Sequence, residues 1–345
     1  MNILLGDLPA AVLSAWASPD LSFGTSQVIE STITQQVIRA PLAEPSGLLT
    51  ALRVTVGGPN LSVAGARVTS MSFELQDRTG AFYAAGALDG FSVGAFDTTA
   101  GVDIGTYVRA LQLRQDPGNF ASRYLTGDDR ILGNAAANAL QGGAGRDELR
   151  GAGGDDVLDG GSGVDTALYG LPRSSYLLAK AGANWNVKAL SGNEGTDTLI
   201  DVERLRFDNT SLALDLSGNA GTAAKIIGAL FGPAVLKNKD FVGIGLQWLD
   251  QGSSYPSLVD MAVKSVAFKQ QLASPSNTDF VKLVYQNVTG TVPDPADLNY
   301  YVALLDVGVY TQSQLAFIAC EMPINAAHID LVGLASTGIE FTPQG

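Results

Sequence analysis

The sequence predicts a multidomain protein: an N-terminal antiparallel β-sandwich-like domain, a central parallel β-roll and a C-terminal all-α domain. Three patterns predict it. Apolar residues alternate in the first third, a nine-residue Gly/Asp pattern recurs in the middle, and helical spacing takes over towards the end. The predicted parts are an N-terminal segment 1–25, a β domain 26–122, the roll 123–170, a β segment capping the roll 171–216, and a helical domain 217–345.

The composition of the 345-residue chain narrows its possible functions. The formal net charge is −13 at pH 7, so we expect no nucleic-acid partner, because such a chain lacks the cations that neutralise phosphates. The single Cys and single His exclude an internal disulfide, a thiolate zinc cluster and a multi-histidine site. No apolar run reaches the ~18 residues of a transmembrane helix. The surplus carboxylates suit either an acidic, solvated surface or divalent cations.

The first third predicts antiparallel strands joined by turns. Apolar and polar residues alternate in Leu52–Val56 and again in Met71–Leu75, while Gly57–Asn60 and Asp77–Gly80 have turn composition. In the segment before the β domain, Ala15–Ala17 has the small residues of a cleavage site. No basic region precedes it, so no cleaved signal peptide is predicted.

The middle of the chain contains five consecutive nonapeptides, at residues 124–168. They read YLTGDDRIL, GNAAANALQ, GGAGRDELR, GAGGDDVLD and GGSGVDTAL. The third and fifth follow G-G-x-G-x-D-x-U-x with U apolar, and the fourth differs by Ala152 at the second glycine. The second has Asn138 in place of Asp, and the first keeps only Gly127 and Asp129. In this pattern six residues form a turn, in which glycine permits positive φ, and three form a short strand. A flexible Gly/Asp-rich linker is the alternative, but linkers do not place an apolar residue at every ninth position. The residues expected to stack as the interior are Ile131, Leu140, Leu149, Leu158 and Ala167.

This pattern resembles the RTX (haemolysin-type) calcium-binding nonapeptide repeat. The resemblance implies that turns n and n+2 lie on one side of the roll and share a calcium ion, which takes six to eight oxygen ligands. The implied pairs are Asp129 with Asp147, Asn138 with Asp156, and Asp147 with Asp165. The last pair matches the family best, and the Asn138 pair is expected to be weaker by one charge. The carbonyl ligands expected to complete these sites belong to Gly142, Ala144, Gly151, Gly153, Gly160 and Ser162.

The segment Gly195–Phe207 resembles the G-x-D-x-L-x-x-V-E-x-L-x-F sequence that commonly closes RTX rolls. Its apolar residues are expected to cap the open end of the roll, which otherwise exposes a sheet edge. Asp197 is interpreted as a turn former, with a further ion as the alternative. The residues expected to form the cap are Leu199, Val202, Leu205 and Phe207.

The last third predicts helices. Apolar residues at helical spacing cover 280–288 after a capping residue at Asn277 or Thr278. Thr311 and Gln314 form a capping box before a helix that contains Leu315–Cys320 and ends before Pro323. The single Cys, Cys320, is expected to be buried and inert.

A weak internal repeat relates Phe241–Gly252 to Asp297–Gly308, and the second copy is predicted to be a helix over 296–307 with Gly308 as its C-cap. The C-terminal helices resemble an uncharacterised helical tandem domain that often accompanies RTX and surface-layer proteins. The matching residues are Phe280–Asn287, Pro293–Asp294, the helix of Tyr300 and Tyr301, and Gly338–Phe341. The domain has no established catalytic activity that the resemblance could transfer, so the resemblance implies a role in protein association.

Together these features predict a secreted calcium-binding structural protein that folds and self-assembles outside the cell, in a surface layer, filament or biofilm matrix. The RTX resemblance implies type I secretion, with calcium as the cofactor and further copies of the chain as partners. The alternative is an adhesin-like module that recognises a cell-surface glycan or protein. A third hypothesis is a serine hydrolase, because Gly90–Gly94 spells G-x-S-x-G, but alternating β segments surround the motif and no catalytic residue is predicted.

Overall fold

The computed structural model describes residues 127–344 and, before them, Thr79 and a set of β-strands. These strands are β1 Asn2–Leu5, β2 Ser22–Phe23, β3 Gln27–Ser31, β4 Gln35–Ala43, β5 Leu49–Gly57, β6 Val68–Asp77 and β7 Phe82–Val93. The chain divides into two compact units. The first comprises Met1–Tyr169 with Ser174–Val202, and the second comprises Gly170–Arg173 with Glu203–Gly345.

The N-terminal strands pair antiparallel, from β3 through β4, β5 and β6 to β7. The register of β5 and β6 places Leu52 opposite Leu75 and Val54 opposite Phe73, which are the alternating positions of the sequence. Residues 94–122 of the predicted β domain lie outside the described residues, so its sandwich-like form stays a prediction. The G-x-S part of the hydrolase motif lies within β7, whereas a nucleophile elbow joins a strand to a helix.

The nonapeptides form a parallel β-roll. Its strands are β8 Arg130–Leu132, β9 Ala139–Gly145, β10 Glu148–Arg150, β11 Val157–Gly163 and β12 Thr166–Leu168. They alternate between two parallel sheets, with β8, β10 and β12 in one and β9 and β11 in the other. Ile131 therefore pairs with Leu149, and Leu140 with Leu158. The predicted interior is confirmed, since all five U residues are at most 1% exposed.

Strands β9 and β11 are seven residues long, not the three that the repeat predicts. Their parallel pairing continues into the glycine turn, where Gly143 lies opposite Gly161 and Ala144 opposite Ser162. Because the two stacked turns have the same backbone conformation, their residues stay opposite each other and the strand pairing extends into them. Gly161 has φ +90, and a Cβ there would contact the Gly143 carbonyl oxygen at less than van der Waals distance.

A hairpin and a further strand complete the first unit. The strands are β13 Tyr176–Ala181, β14 Asn184–Ala189 and β15 Thr196–Ile200, preceded by a short 3₁₀-helix at Arg173–Ser175. Strand β15 pairs antiparallel with β14 and parallel with β11, where Leu158 lies opposite Leu199. The buried Trp185 of β14 pairs with Leu199 on the other side.

The second unit combines a small antiparallel sheet with helices. The sheet contains β16 Arg204–Arg206, β17 Ser211–Ala213 and β18 Ile339–Phe341. The helices are α1 Asn219–Phe231, α2 Lys239–Asp250, α3 Tyr255–Lys264, α4 Val266–Lys269, α5 Asn277–Thr289, α6 Pro295–Asp306, α7 Gln312–Glu321, α8 Pro323–His328 and α9 Leu331–Thr337, with a 3₁₀-helix at Pro233–Lys237. Within the described part of the chain, no helix is long and apolar enough to span a membrane.

Two helices of the second unit, α2 and α6, correspond to the two copies of the weak sequence repeat. Helices α2 and α6 have the same length, 12 residues, and start at Lys239 and Pro295, as the weak sequence repeat predicted. The capping box of Thr311 and Gln314 at the start of α7 is confirmed. Between the two copies, Phe268 and Phe280 meet edge to face in the core of the helical unit.

Two predicted helix caps need correction. Helix α5 is capped by Ser276, because its hydroxyl accepts the Asp279 N–H at 3.1 Å, and Asn277 is already helical. Helix α6 has Val307 as its C-cap, and Gly308, with φ +74, is the next residue. The predicted burial of Cys320 is confirmed, and this burial raises the pKa of its thiol to about 12.

Candidate metal centre

The roll places the predicted metal-binding residues in two rows of turns. The first turn row contains the turns that end at Asp129, Asp147 and Asp165, and the second contains those that end at Asn138 and Asp156. Residues 18 apart are neighbours within a row, as the hydrogen bond from Asp147 to Asp165 shows. The structure thus brings together each pair that the sequence analysis proposed.

One oxygen of each aspartate joins successive turns. Within the first turn row, the backbone N–H of Asp129 donates to Oδ1 of Asp147 at 2.7 Å, and that of Asp147 to Oδ1 of Asp165 at 2.8 Å. In the second turn row, the N–H of Asn138 donates to Oδ1 of Asp156 at 2.7 Å. These bonds fix each carboxylate against the preceding turn of its row.

In Asp147 and Asp156 the second carboxylate oxygen, Oδ2, has no hydrogen-bond donor among the residues that the structure describes. These side chains are 1% and 2% exposed, and neither Oδ2 atom accepts a hydrogen bond from any described residue. A buried carboxylate oxygen without a donor is costly, and native structures rarely retain one without an ion, a water molecule or a functional reason. A bound cation would supply the partner that these two oxygens lack.

A backbone carbonyl converges on the same point as the Asp147 carboxylate. The position that a Cβ of Gly142 would occupy lies 2.5 Å from Oδ2 of Asp147 and 2.5 Å from the carbonyl oxygen of Gly160. Both are hard oxygen ligands, and they come from two successive turns of the first row. Within residues 127–344 and the earlier strands, no three His, Cys, Asp or Glu side chains cluster around one point. A carboxylate paired with backbone carbonyls is a ligand set that calcium accepts.

The amide of Asn138 closes its own turn with protein hydrogen bonds. Its Oδ1 accepts the backbone N–H of Asn134 at 2.9 Å, and its Nδ2 donates to Oδ1 of Asn134 at 3.2 Å. The sequence predicts a weaker site here from the missing charge, but it does not reveal the role of Asn134, which occupies the second glycine position of its repeat. One acceptor site of the Asn138 amide oxygen is occupied by the Asn134 N–H, so the weaker site stays a prediction.

The remaining predicted carbonyl ligands lie in the same turns. Ala144 and Ser162 are direct neighbours in β9 and β11. The carbonyl oxygen of Gly151 lies near the side-chain oxygen of Asn138, beside Gly133. Gly153 donates its N–H to the Asn134 carbonyl at 3.0 Å. These positions agree with the expected arrangement, and their roles as ligands stay a prediction.

Burial shifts the titration of the turn aspartates. Loss of solvation, with a smaller contribution from neighbouring carboxylates, raises the pKa of Asp147 and of Asp156 to about 6. The same causes raise the pKa of Asp197, in β15, to about 7. In the calcium-free protein these groups therefore hold protons that an exposed carboxyl has already lost.

Calcium that binds to an already folded roll is expected to release protons at pH 6 and few at pH 8. A raised pKa means that the folded state binds the proton more tightly than the unfolded chain, so the calcium-free roll loses stability as pH rises from about 4 to about 7. Calcium competes for the same oxygens and displaces these protons. Calorimetric titration in two buffers of different ionisation enthalpy measures the release. Equal proton release at pH 6 and pH 8 would contradict the prediction.

Comparison with known families agrees with this geometry. Residues 132–167 match the family model of the RTX calcium-binding nonapeptide repeat, and residues 260–320 match that of a domain of unknown function, DUF4214. No curated protein matches the chain. The resemblance to RTX repeats and the prediction of calcium as the cofactor are confirmed. The repeat match ends before the β13–β14 hairpin and β15.

Proposed function

We propose that the chain is a secreted structural protein whose roll folds when it meets extracellular calcium. The observation that carries the proposal is the pair of buried aspartate oxygens, on Asp147 and Asp156, that accept no hydrogen bond from the described residues. Millimolar extracellular calcium exceeds the ~10⁻⁴–10⁻³ M dissociation constants of extracellular calcium modules. Because metal binding and folding are coupled, the roll stays open at low calcium, which suits type I secretion.

We further propose that the folded protein assembles with copies of itself, in a surface layer, filament or biofilm matrix. Several apolar side chains of the helical unit lie on its surface, and contact with a second copy would remove them from water. Val332 is 87% exposed and Val307 is 74% exposed. The accompanying domain of unknown function carries no catalytic assignment that competes with this role.

Electron microscopy of the purified protein with and without calcium tests the assembly. We expect ordered polymers or sheets in millimolar calcium and none in chelator. Dispersed monomers in both conditions would contradict assembly. Binding of those monomers to a glycan array would support the adhesin-like alternative, in which the N-terminal β domain recognises a cell-surface glycan.

Asp147→Asn is expected to weaken calcium binding more than Asp129→Asn. Asp147 bonds to the turns before and after it in the first turn row, and Asp129, in the first turn of that row, bonds to the turn that follows. Both substitutions keep an oxygen at Oδ1 and remove one charge. We expect the calcium midpoint of folding to rise about tenfold for Asp147→Asn, or about 1.4 kcal/mol, and less for Asp129→Asn. Calcium titration followed by circular dichroism measures both, and equal shifts would contradict the turn pairing.

A further inference from the structure

The roll continues beyond the five consecutive nonapeptides. Residues 192–200 read GNEGTDTLI, with glycine at the first and fourth positions, Asp197 at the sixth and Leu199 at the eighth. Strand β15 pairs in parallel with β11, so that Val157 lies opposite Thr198 and Leu158 opposite Leu199. This detached coil, Gly192–Ile200, is therefore a sixth unit of the roll, separated from the fifth by the β13–β14 hairpin.

The hydrogen bonds of the detached coil repeat those of the continuous turns. The N–H of Asp156 donates to Oδ1 of Asp197 at 3.1 Å, as that of Asp147 does to Asp165. The N–H of Thr198 donates to the Asp156 carbonyl at 2.8 Å, as that of Thr166 does to the Asp147 carbonyl at 2.8 Å. The turn that ends at Asp197 is thus the next member of the second turn row.

Two more bonds hold the detached turn against its neighbour. The N–H of Gly154 donates to the Asn193 carbonyl at 2.9 Å, and the N–H of Thr196 donates to Oδ1 of Asp155 at 2.7 Å. The stacking therefore extends along the whole turn. Carboxylates accumulate at the junction, where Asp155 and Asp156 face a turn that contains Glu194 and Asp197. A divalent cation balances such charge.

The buried Oδ2 of Asp156 is the candidate ligand for that cation. Asp156 is 2% exposed, and this oxygen accepts no hydrogen bond within the described part of the chain. In the first turn row, the equivalent oxygen of Asp147 converges with the carbonyl of Gly160, the first residue of the next turn. The residue of the detached turn that corresponds to Gly160 is Gly192, which differs in conformation: its φ is +87, and its carbonyl oxygen is not among the three atoms nearest to the Cβ position of Gly151. A carbonyl ligand for this cation must therefore come from elsewhere in the detached turn.

We propose that the turns Gly151–Asp156 and Gly192–Asp197 hold a calcium ion between them, with Oδ2 of Asp156, the Asp197 carboxylate and carbonyls of the detached turn as ligands. The proposal rests on calcium binding by the roll and adds a site outside the matched repeats. The ion fastens the β13–β14 hairpin to the roll, because Trp185 of β14 pairs with Leu199 and the Tyr176 hydroxyl of β13 donates to Glu194.

Counting bound ions by native mass spectrometry tests the site. In saturating calcium we expect the full chain carrying Asp197→Asn to bind one ion fewer than wild type. Asp208→Asn is the matched control, since it removes the same charge from an exposed side chain outside the nonapeptide coils. This control is expected to bind as many ions as wild type. Equal ion counts in wild type and Asp197→Asn would overturn the proposed site.

If Asp197→Asn fails to fold, terbium luminescence tests the same site in a chain that retains Asp197. In a Trp16→Phe, Trp248→Phe background, Trp185 is the remaining tryptophan, and a bound terbium ion near the hairpin is expected to emit when Trp185 is excited. Adding Trp185→Phe is expected to remove most of this emission. Terbium uptake by the roll without Trp185-sensitised emission would overturn this site and leave the proposed function intact. A wild-type chain that binds no calcium would contradict both.

Discussion

Removal of calcium with EGTA is expected to unfold the roll and to leave the helical unit folded. At millimolar calcium, about ten times a dissociation constant of ~10⁻⁴ M, each filled site contributes about 1.4 kcal/mol, so several ions together supply much of the few kcal/mol of stability that a roll this small can have. Once calcium leaves, the buried carboxylates of Asp147 and Asp156 have no counter-charge and disfavour the packed turns. The helical unit depends on its own core, in which Phe268 and Phe280 are fully buried.

Hydrogen exchange followed by mass spectrometry measures both parts in one sample. Peptides covering β8–β12 and β15 are expected to lose protection in EGTA, and peptides covering α1 and α5 are expected to keep it. Far-UV circular dichroism is expected to lose β signal and retain helical signal. Added calcium restores the roll, and magnesium at the same concentration serves as the control, because its strict octahedral geometry and retained waters do not suit carbonyl-rich turns. Unchanged protection of the roll in EGTA would reject a folding role for calcium.

The continuous part of the roll was predictable because its nine-residue period is short and each position in it has a structural role. Each coil repeats one glycine turn and one apolar position, and the register of Ile131 with Leu149 follows from that period alone. The corresponding helices α2 and α6 were predictable for a similar reason, since each copy of the repeat ends in Leu-Asp-x-Gly. In both cases local residues determine the structure.

The detached coil was not predicted, because the hairpin interrupts the period. The sequence analysis read Gly195–Phe207 as one closing segment and Asp197 as a turn former. Only the pairing of β15 with β11 shows that Asp197 continues the second turn row. The signal that could have found it is present, since GNEGTDTLI fits the nonapeptide with Asn193 at the second glycine position. Leu205 and Phe207 fall in the second unit, so their predicted capping role stays a prediction.

Some side-chain roles depend on neighbours that a one-dimensional pattern does not contain. The sequence distinguished Asn138 from its aspartate equivalents by charge. It gave no sign that Asn134 uses the amide oxygen within the same turn. Likewise, Ser276, Asn277 and Thr278 are all acceptable caps by composition, and only the hydrogen bond to Asp279 selects the first of them.

Gly142→Ala is expected to raise the calcium needed to fold the roll by about a hundredfold, equivalent to about 2.7 kcal/mol. The added methyl group falls 2.5 Å from both Oδ2 of Asp147 and the carbonyl oxygen of Gly160, so at least one of these oxygens must move. The backbone conformation is not the cause, because Gly142 is absent from the residues with positive φ. The charge of the roll is also unchanged, so a loss of affinity reports on the geometry of the oxygens alone.

Gly127→Ala is the matched control. Gly127 lies in the first turn row, and no described atom lies within 4 Å of the position of its added Cβ. Replacing glycine by alanine at an unstrained, open position stabilises a protein by about 0.4–1 kcal/mol through the unfolded state, so this variant should fold at the same or slightly lower calcium. Calcium titrations monitored by circular dichroism compare the two variants. If both behave like wild type, the carboxylate and carbonyl that converge at Gly142 do not bind the ion. If both fail equally, the roll is sensitive to any added bulk, and the oxygens at Gly142 have no special role.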